Sequence, residues 1–493
     1  MCGIIGIIGT PNAAKESYLG LMMLQHRGQD SAGILAYDKN THTFSLEKNL
    51  GHISSAISEQ KIQEIPAASA LGHTRYSTIG KALLKDIQPL HINYPFGIGM
   101  VHNGNIVNTE EVSKKLIAEN QRFLFTNNDL ELMMNILAEG LIAGKTDFNF
   151  DKIKTAVQSL YQEIQGGYSS LTLLAGKGML AFKDPNGIRP MVWGKRELTL
   201  EEKEKNQSSL QFAYAFASES NALQLLGYEN IQELAAGEII FIEENGKVHQ
   251  AQLGENRPRP CMFEWIYFAN ADSKIWNKSV YQLRLKFGQA LASSIQATEA
   301  QFDIVVPVPD TSRPSAIALS ENLNIPYREV LIKNRYAQRT FILNSQKDRD
   351  KMIKLKLSVV KEEVAGKNIL LVDDSIVRGT TSKRIIKLLK QNGAASVSIA
   401  STCPPIISPC FYGIDFPTPQ ELVASGKSLK ELALAIDADH VFYMDIEKFK
   451  SLFEELNTCM ACVDKDYPTQ TNHLDTMINK RVQHEPSHLS GIY

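Results

Sequence analysis

Residues 367–393 read KNILLVDDSIVRGTTSKRIIKLLKQNG, and the rest of the chain can be placed around them. The apolar run 369–372 is short enough for a buried strand. Two carboxylates, Asp373 and Asp374, stand at its end, and a small polar loop follows with Ser375, Arg378, Gly379, Thr380 and Thr381. The chain then turns amphipathic. Ile385, Ile386, Leu388 and Leu389 form one face, and Lys383, Arg384, Lys387 and Lys390 the other. Gly393 sits where a helix would stop. A loop running into a helix N-terminus offers free backbone N–H groups and the positive end of the helix dipole, which suits a phosphate. Gly379 lets the backbone approach such an anion, and Thr380 and Thr381 add hydroxyls. The carboxylates just upstream suit ribose hydroxyls or a hydrated Mg²⁺. No GxxxxGK[ST] is present, so this is not a Walker loop. A polar-tipped turn in a doubly wound sheet is the plainer alternative.

The longer string decides between them. VDDSIVRGTTS, residues 372–382, closely resembles the phosphoribosylpyrophosphate (PRPP) loop of type I phosphoribosyltransferases. The resemblance implies a parallel-sheet α/β domain that binds PRPP through Ser375, Arg378, Gly379, Thr380 and Thr381, with Asp373 and Asp374 holding ribose and Mg²⁺. It places Thr311, at the end of the strand candidate 303–308, near the metal. It also makes the charged segment from Lys333 to about residue 356 a loop that closes over PRPP, with Lys333 and Arg335 drawn to the phosphates. A solvated loop is the other reading of that segment.

The N-terminus is the second informative place. In MCGIIG, removal of Met1 would leave Cys2 with a free α-amine, of ordinary pKa ~8, beside its own thiol, so that nucleophile and base share one residue. A Cys at position two more often merely begins a strand. Further segments weigh against that: QHRGQDSAG at 25–33, HTRYST at 73–78, HNGNI at 102–106, and Asp129 at the start of an amphipathic helix. Together they resemble class II glutamine amidotransferases. That likeness runs from Cys2 to about Gln250, and DPNGIRP at 184–190 fits it. It implies an N-terminal nucleophile fold, two facing antiparallel sheets with helices outside in an αββα sandwich. Cys2 would attack the glutamine amide, and Asn103 and Gly104 would form the oxyanion hole. Arg75 would clamp the α-carboxylate, Asp129 would meet the α-ammonium, and Arg27 would organise the nucleophile's surroundings on the substrate side.

Six cysteines in 493 residues do not make a disulfide scaffold. Cys459 and Cys462 form a CxxC, which alone is redox, zinc or accidental. The two resemblances together point to the glutamine PRPP amidotransferase family. It has an iron–sulfur subclass, and Cys261, Cys410, Cys459 and Cys462 match its four ligand positions, implying a 4Fe–4S cluster. Structural zinc or empty thiols are the alternatives. Members of that subclass often carry a short propeptide before the catalytic Cys, whereas here only Met1 precedes it. Cys403 fits no ligand pattern and reads as a buried thiol.

Composition narrows the remaining choices. The net charge is -2, from 52 basic and 54 acidic residues, which gives no electrostatic case for nucleic acid or membrane. No apolar run reaches the ~20 residues of a membrane span, and no secretory pattern opens the chain, so a cytoplasmic enzyme is expected. GENRPRP at 254–260 is the best linker. It separates a glutaminase domain at 2–253 from a phosphoribosyltransferase domain at 261–468, with a loosely held tail at 469–493. The charged stretch 197–211 reads as an exposed insertion. The family resemblance further implies a homo-oligomer, dimer or tetramer, inhibited by purine nucleotides. Two rivals remain at this stage. Another class II amidotransferase would lack the PRPP loop, and a PRPP-binding regulator would have no use for Cys2, Arg75, Asn103, Gly104 and Asp129.

Overall fold

The computed structural model describes residues 1–76, 83–144, 147–206, 210–334, 357–416, 418–454 and 456–470. Among these, the N-terminal half forms two antiparallel sheets. The seven-stranded sheet runs Glu229–Glu233, Val192–Glu197, Phe212–Ala217, Gly3–Ile8, Ser69–Arg75, Ser31–Asp38, Thr43–Leu50. The six-stranded sheet runs Val248–Gln252, Glu238–Glu243, Gly178–Lys183, Gly166–Leu174, Ile98–Ile106, Leu90–Ile92. Strand period explains the layering. Ile4 and Ile8 point between the sheets, where they pack with Leu71, Val101, Leu171, Met179 and Ile240. Ile5 and Ile7 point the other way, against Tyr18 and Leu21 of the helix Ala13–Met23. Helices Asp129–Ile142 and Phe150–Glu163 cover the outer face of the six-stranded sheet. The strand Gly3–Ile8 is thus buried on both faces, with each isoleucine contributing roughly 1.5–3 kcal/mol by leaving water. This is the αββα sandwich the sequence leads one to expect.

The second half is built on a parallel sheet, Ile304–Pro307, Asn368–Asp373, Ser396–Ser401, Val441–Tyr443. Alternate residues of its central strand face opposite layers. Ile369 and Leu371 join Ile385, Ile386 and Leu389 of the helix Thr380–Gln391. Leu370 and Val372 join Leu291, Ala316 and Leu319 from helices Val280–Gln296 and Arg313–Leu323. The latter core does not stop at the linker, because it also takes in Met1, Val107 and Ile188 of the N-terminal half.

One expectation needs revision. The stretch 197–211 is not simply an exposed insertion: it carries the helix Leu200–Asn206. Glu202 is buried there, holding Arg196 Nη2 at 2.6 Å and the Thr10 hydroxyl at 3.0 Å. The charge that makes the segment look solvated is an internal anchor. No helix among the described residues is long and apolar enough to cross a membrane. Residues 335–356, and with them Arg335 and most of the expected PRPP-closing segment, lie outside the described residues, as does the tail from 471.

Candidate functional site

Two sites stand at the ends of strands. In the N-terminal half, Cys2 precedes the strand Gly3–Ile8 and its backbone N–H donates to Asn103 Oδ1 at 3.2 Å. Asn103 is fully buried and its Nδ2 has no hydrogen-bond partner, so that donor is available for an anion. Gly104 follows with φ +151, and a Cβ there would collide with the Gly167 carbonyl. Glycine is therefore required where the backbone turns its amide toward the site. Arg75, at the end of the strand Ser69–Arg75, has a buried Nη1 without a partner. Asp129 opens the helix Asp129–Ile142, accepting from Ile106 N–H at 3.0 Å and facing His102 Nε2 at 3.3 Å. Burial works against its charge, yet His102, the Ile106 N–H and Arg75 together hold it below the usual carboxylate range. Burial pushes the Cys2 thiol up, with the N-terminal amine, Arg75 and Arg27 pulling the other way. Asn103 is thus tied to Cys2 by a hydrogen bond, and Arg75 and Asp129 act electrostatically on its thiol.

Arg27 has a different place from the substrate side. It is 1% exposed, and its three guanidinium nitrogens all have protein partners. Nε donates to the Cys2 carbonyl at 3.0 Å, Nη1 to Glu219 at 2.6 Å, and Nη2 to Glu264 at 2.8 Å. That is an organising role rather than direct contact with a substrate. The Met1 amine is buried beside this group, and burial pushes it down to about 5.

In the second half, Asp373 and Asp374 end the strand Asn368–Asp373, both largely buried. Thr311 and Ser375 donate hydroxyl hydrogen bonds to Asp374. Burial and the neighbouring Asp374 charge push Asp373 well above the usual carboxylate range. Burial raises Asp374 too, against the hydroxyls and Arg284. The hard oxygen donors of this adjacent pair, with Thr311, suit Mg²⁺. Gly379 has φ +71, and a Cβ on it would meet Ile436 Cγ2 at 2.9 Å. Thr380 and Thr381 begin the next helix, both exposed, and the first amides of a helix are the donors an anion site uses. Arg378 lies 3.8 Å from Asp415 and, through its buried Nε, 3.9 Å from Glu421. Lys333 reaches Asp310 at 3.1 Å.

The four ligand-pattern cysteines are all buried and free. Cys261 and Cys459 pair as an isolated parallel bridge. The four thiols share one electrostatic neighbourhood. Burial pushes Cys261 up to about 11 and also raises Cys459 and Cys462 well above the ordinary thiol range. Three of the sulfurs accept a backbone N–H from the residue two further on: Cys261 from Phe263, Cys410 from Tyr412 at 3.4 Å, and Cys459 from Ala461. Such bonds favour thiolates and help set the properties of iron–sulfur ligands. Among the described residues no three His, Cys, Asp or Glu side chains converge on a single-ion site. Cys403, the thiol without an assigned role, is buried between Asp374 and this group.

The sequence reading missed Glu219 and Glu264 and gave Arg189 no role. Arg189 donates through Nε and Nη2 to the Tyr412 carbonyl and stands 3.5 Å from Glu264. A signal for Glu264 existed: it is a lone charge in the apolar run CMFEWIYF, and such a charge needs a partner.

The same two-part organisation recurs in known proteins. The glutamine amidotransferase domain family matches residues 73–224, and the phosphoribosyl transferase domain family residues 278–408. The amidophosphoribosyltransferase of Escherichia coli is 40% identical over 450 residues, covering 90% of this chain and 87% of that one. The chain belongs to the amidophosphoribosyltransferase family. The Methanocaldococcus jannaschii amidophosphoribosyltransferase is 38% identical over 492 residues, covering 96% of this chain and 98% of its own. The glutamine PRPP amidotransferase of B. subtilis, solved with ADP and GMP, superposes with a TM-score of 0.82 at 34% identity, over 95% of this chain and 98% of that one. In this amidophosphoribosyltransferase family member, the sandwich and the parallel sheet are therefore the two domains that the sequence motifs indicate.

Proposed function

We propose that the chain converts glutamine, PRPP and water to 5-phosphoribosylamine, glutamate and pyrophosphate, the first step of purine synthesis. The observation that carries this reading is the packing of the oxyanion-hole segment of the first half directly on the second half. Gly413 packs on the backbone of Gly104, with a Cβ there falling 3.2 Å from the Gly104 carbonyl carbon, and Asn105 Nδ2 donates to the Phe411 carbonyl at 2.9 Å. Cys2 Sγ attacks the glutamine amide carbon. The oxyanion is met by Asn103 Nδ2 and the Gly104 amide, and ammonia leaves with its proton supplied through the Cys2 α-amine. Water then hydrolyses the thioester to glutamate. That base exists only once Met1 is cleaved. The Met1 side chain belongs to the core shared by the two halves. At the other site ammonia attacks C1 of PRPP as pyrophosphate departs. Asp373 and Asp374 would hold the ribose hydroxyls and Mg²⁺, with Ser375, Gly379, Thr380 and Thr381 on the 5-phosphate. Bound Mg²⁺ would neutralise charge on the leaving pyrophosphate.

Pyrophosphate release tests the assignment. It should require PRPP and either glutamine or ammonia, with glutamate formed one-for-one in the first case. Glutamine hydrolysis without any PRPP consumption would point to another class II amidotransferase.

Cys261, Cys410, Cys459 and Cys462 would hold a 4Fe–4S cluster in a structural role. The supporting observations are four buried thiols and backbone N–H donors on three sulfurs. Anaerobically prepared protein should be brown, with iron and sulfide in cluster ratio, and Cys459→Ser should bleach it. Colourless protein with stoichiometric zinc would replace the cluster with zinc. Regulation by purine nucleotides, a homo-oligomeric state and a cytoplasmic location belong to the same proposal. The nucleotides bound in the B. subtilis neighbour support the first of these.

A further inference from the structure

Glu264 belongs to the acceptor half, three residues after Cys261, in the π-helical turn Glu264–Phe268. It is 1% exposed. Both its oxygens accept from Arg27 Nη2, at 3.0 and 2.8 Å, and Oε1 also faces Arg189 Nη1 at 3.5 Å. Arg27 in turn holds the Cys2 carbonyl. On its other side Arg27 meets Glu219, a glutaminase residue that also accepts from Asn270 N–H at 2.9 Å and Ser273 Oγ at 2.8 Å, across the junction. Two guanidiniums and two carboxylates thus form a buried group directly behind the nucleophile, with His26 Nε2 also 2.8 Å from Glu219. The turn that carries Glu264 is itself anchored. Arg284 donates to the Trp265 and Ala269 carbonyls, both at 2.8 Å, and Cys261 is bridged to Cys459. π-helical turns are rare and often mark functional places.

The peptide carbonyl of Cys2 is the group nearest its Cα that the protein grips from this side, so its orientation sets where Sγ can point. An arginine between carboxylates is held directionally, because each N–H needs its own acceptor. With Glu264 lost, Arg27 would keep Glu219 alone and could swing away from Cys2, while an unbalanced positive charge remained beside the thiol.

We propose that Glu264 is a positioning residue for the glutamine half-reaction, an acceptor-domain carboxylate that holds Arg27 against the Cys2 carbonyl and so sets the nucleophile's aim. The inference rests on the glutaminase reading of Cys2. It makes alignment of the thiol depend on how the second domain is seated, without any Glu264 contact to substrate.

The test uses Glu264→Gln in the full chain, with three readouts. Ammonia-dependent pyrophosphate release should stay within about twofold of the unaltered protein. The kcat with glutamine should fall roughly 10- to 100-fold, the scale set by misaligning a reacting group, with KM for glutamine changed less than about threefold. Alkylation of Cys2 by iodoacetamide without PRPP, followed on the N-terminal peptide, should slow in parallel. Arg27→Lys should show the same pattern, and the double variant should be no worse than either single one. Unchanged kcat and Cys2 alkylation would overturn the proposal. So would equal losses with ammonia and glutamine, since that is what general loosening of the fold produces. Should Glu264→Gln not fold, Glu264→Asp keeps the charge and should give an intermediate fall with the same split; unaltered glutamine kinetics in it would overturn the proposal equally. If the unaltered chain released no pyrophosphate with glutamine, the functional reading would fail instead, and the alkylation arm would still test Glu264.

Discussion

Cys2→Ala is expected to abolish glutamine-dependent pyrophosphate release while ammonia-dependent release persists at near the original rate. Removing the nucleophile from a covalent mechanism removes the step itself, with a loss of roughly 10⁶-fold by the standard of hydrolases in which that group is deleted. The ammonia reaction is spared because C1 of PRPP needs no protein nucleophile. The variant should also fold. Cys2 is only partly buried, and its hydrogen bonds to Asn103 and Arg27 both use its backbone rather than its side chain. Assays with glutamine and with ammonium chloride on the same preparation decide the matter. Equal loss of both activities would show that the two sites are not separable in the way proposed.

Asp373→Asn and Asp374→Asn should do the converse, lowering the ammonia-dependent rate by about 10²–10³-fold each, the usual cost of removing one preorganised electrostatic partner. They should not destabilise the ligand-free protein. Both carboxyls are raised in the folded state. A raised carboxyl is tolerated by the fold while protonated, so its contribution is fully favourable below the unfolded value of ~3.9 and is lost as pH rises through the folded one. At neutral pH the wild-type pair is therefore a liability that asparagine removes. Melting temperature near pH 7 should rise in the variants while activity falls, and the gap should close toward pH 4. A variant that lost stability and kept activity would show that the pair is structural.

The acidic-pair loop is legible in the sequence because its chemistry is local. Strand, carboxylates and glycine follow one another from Asn368 to Gly379 and the helix starts at Thr380, and the structure places them as the order implies. Cys2, Arg75, Asn103 and Asp129 are legible for another reason: each sits in a short string whose residue types are unusual together. Glu264 is not, although its apolar setting marks it, since its partner Arg27 lies 237 positions away and no periodicity connects them. Glu202 misleads in the opposite direction, because charge in a sequence reads as exposure until its buried Arg196 and Thr10 partners are seen. Arg27 falls between these cases. Its importance is readable from its motif, but its direction, inward to Cys2, Glu219 and Glu264 rather than outward to substrate, is a property of packing.

The packing of Gly413 on Gly104, with Arg189 on the Tyr412 carbonyl, bears on how such a chain can change over generations. Two catalysts joined by a plain tether can exchange halves with distant cousins, and each half then drifts on its own. Here a transplanted glutaminase must bring an arginine that finds Glu264 and a backbone that fits under Gly413, or it strands charge in the interior. A substitution on one side of the junction is tolerated only after its counterpart on the other. Hybrids between diverged members of the family should fail at this seam before they fail at either site, so the heritable module is the whole chain rather than its two named parts.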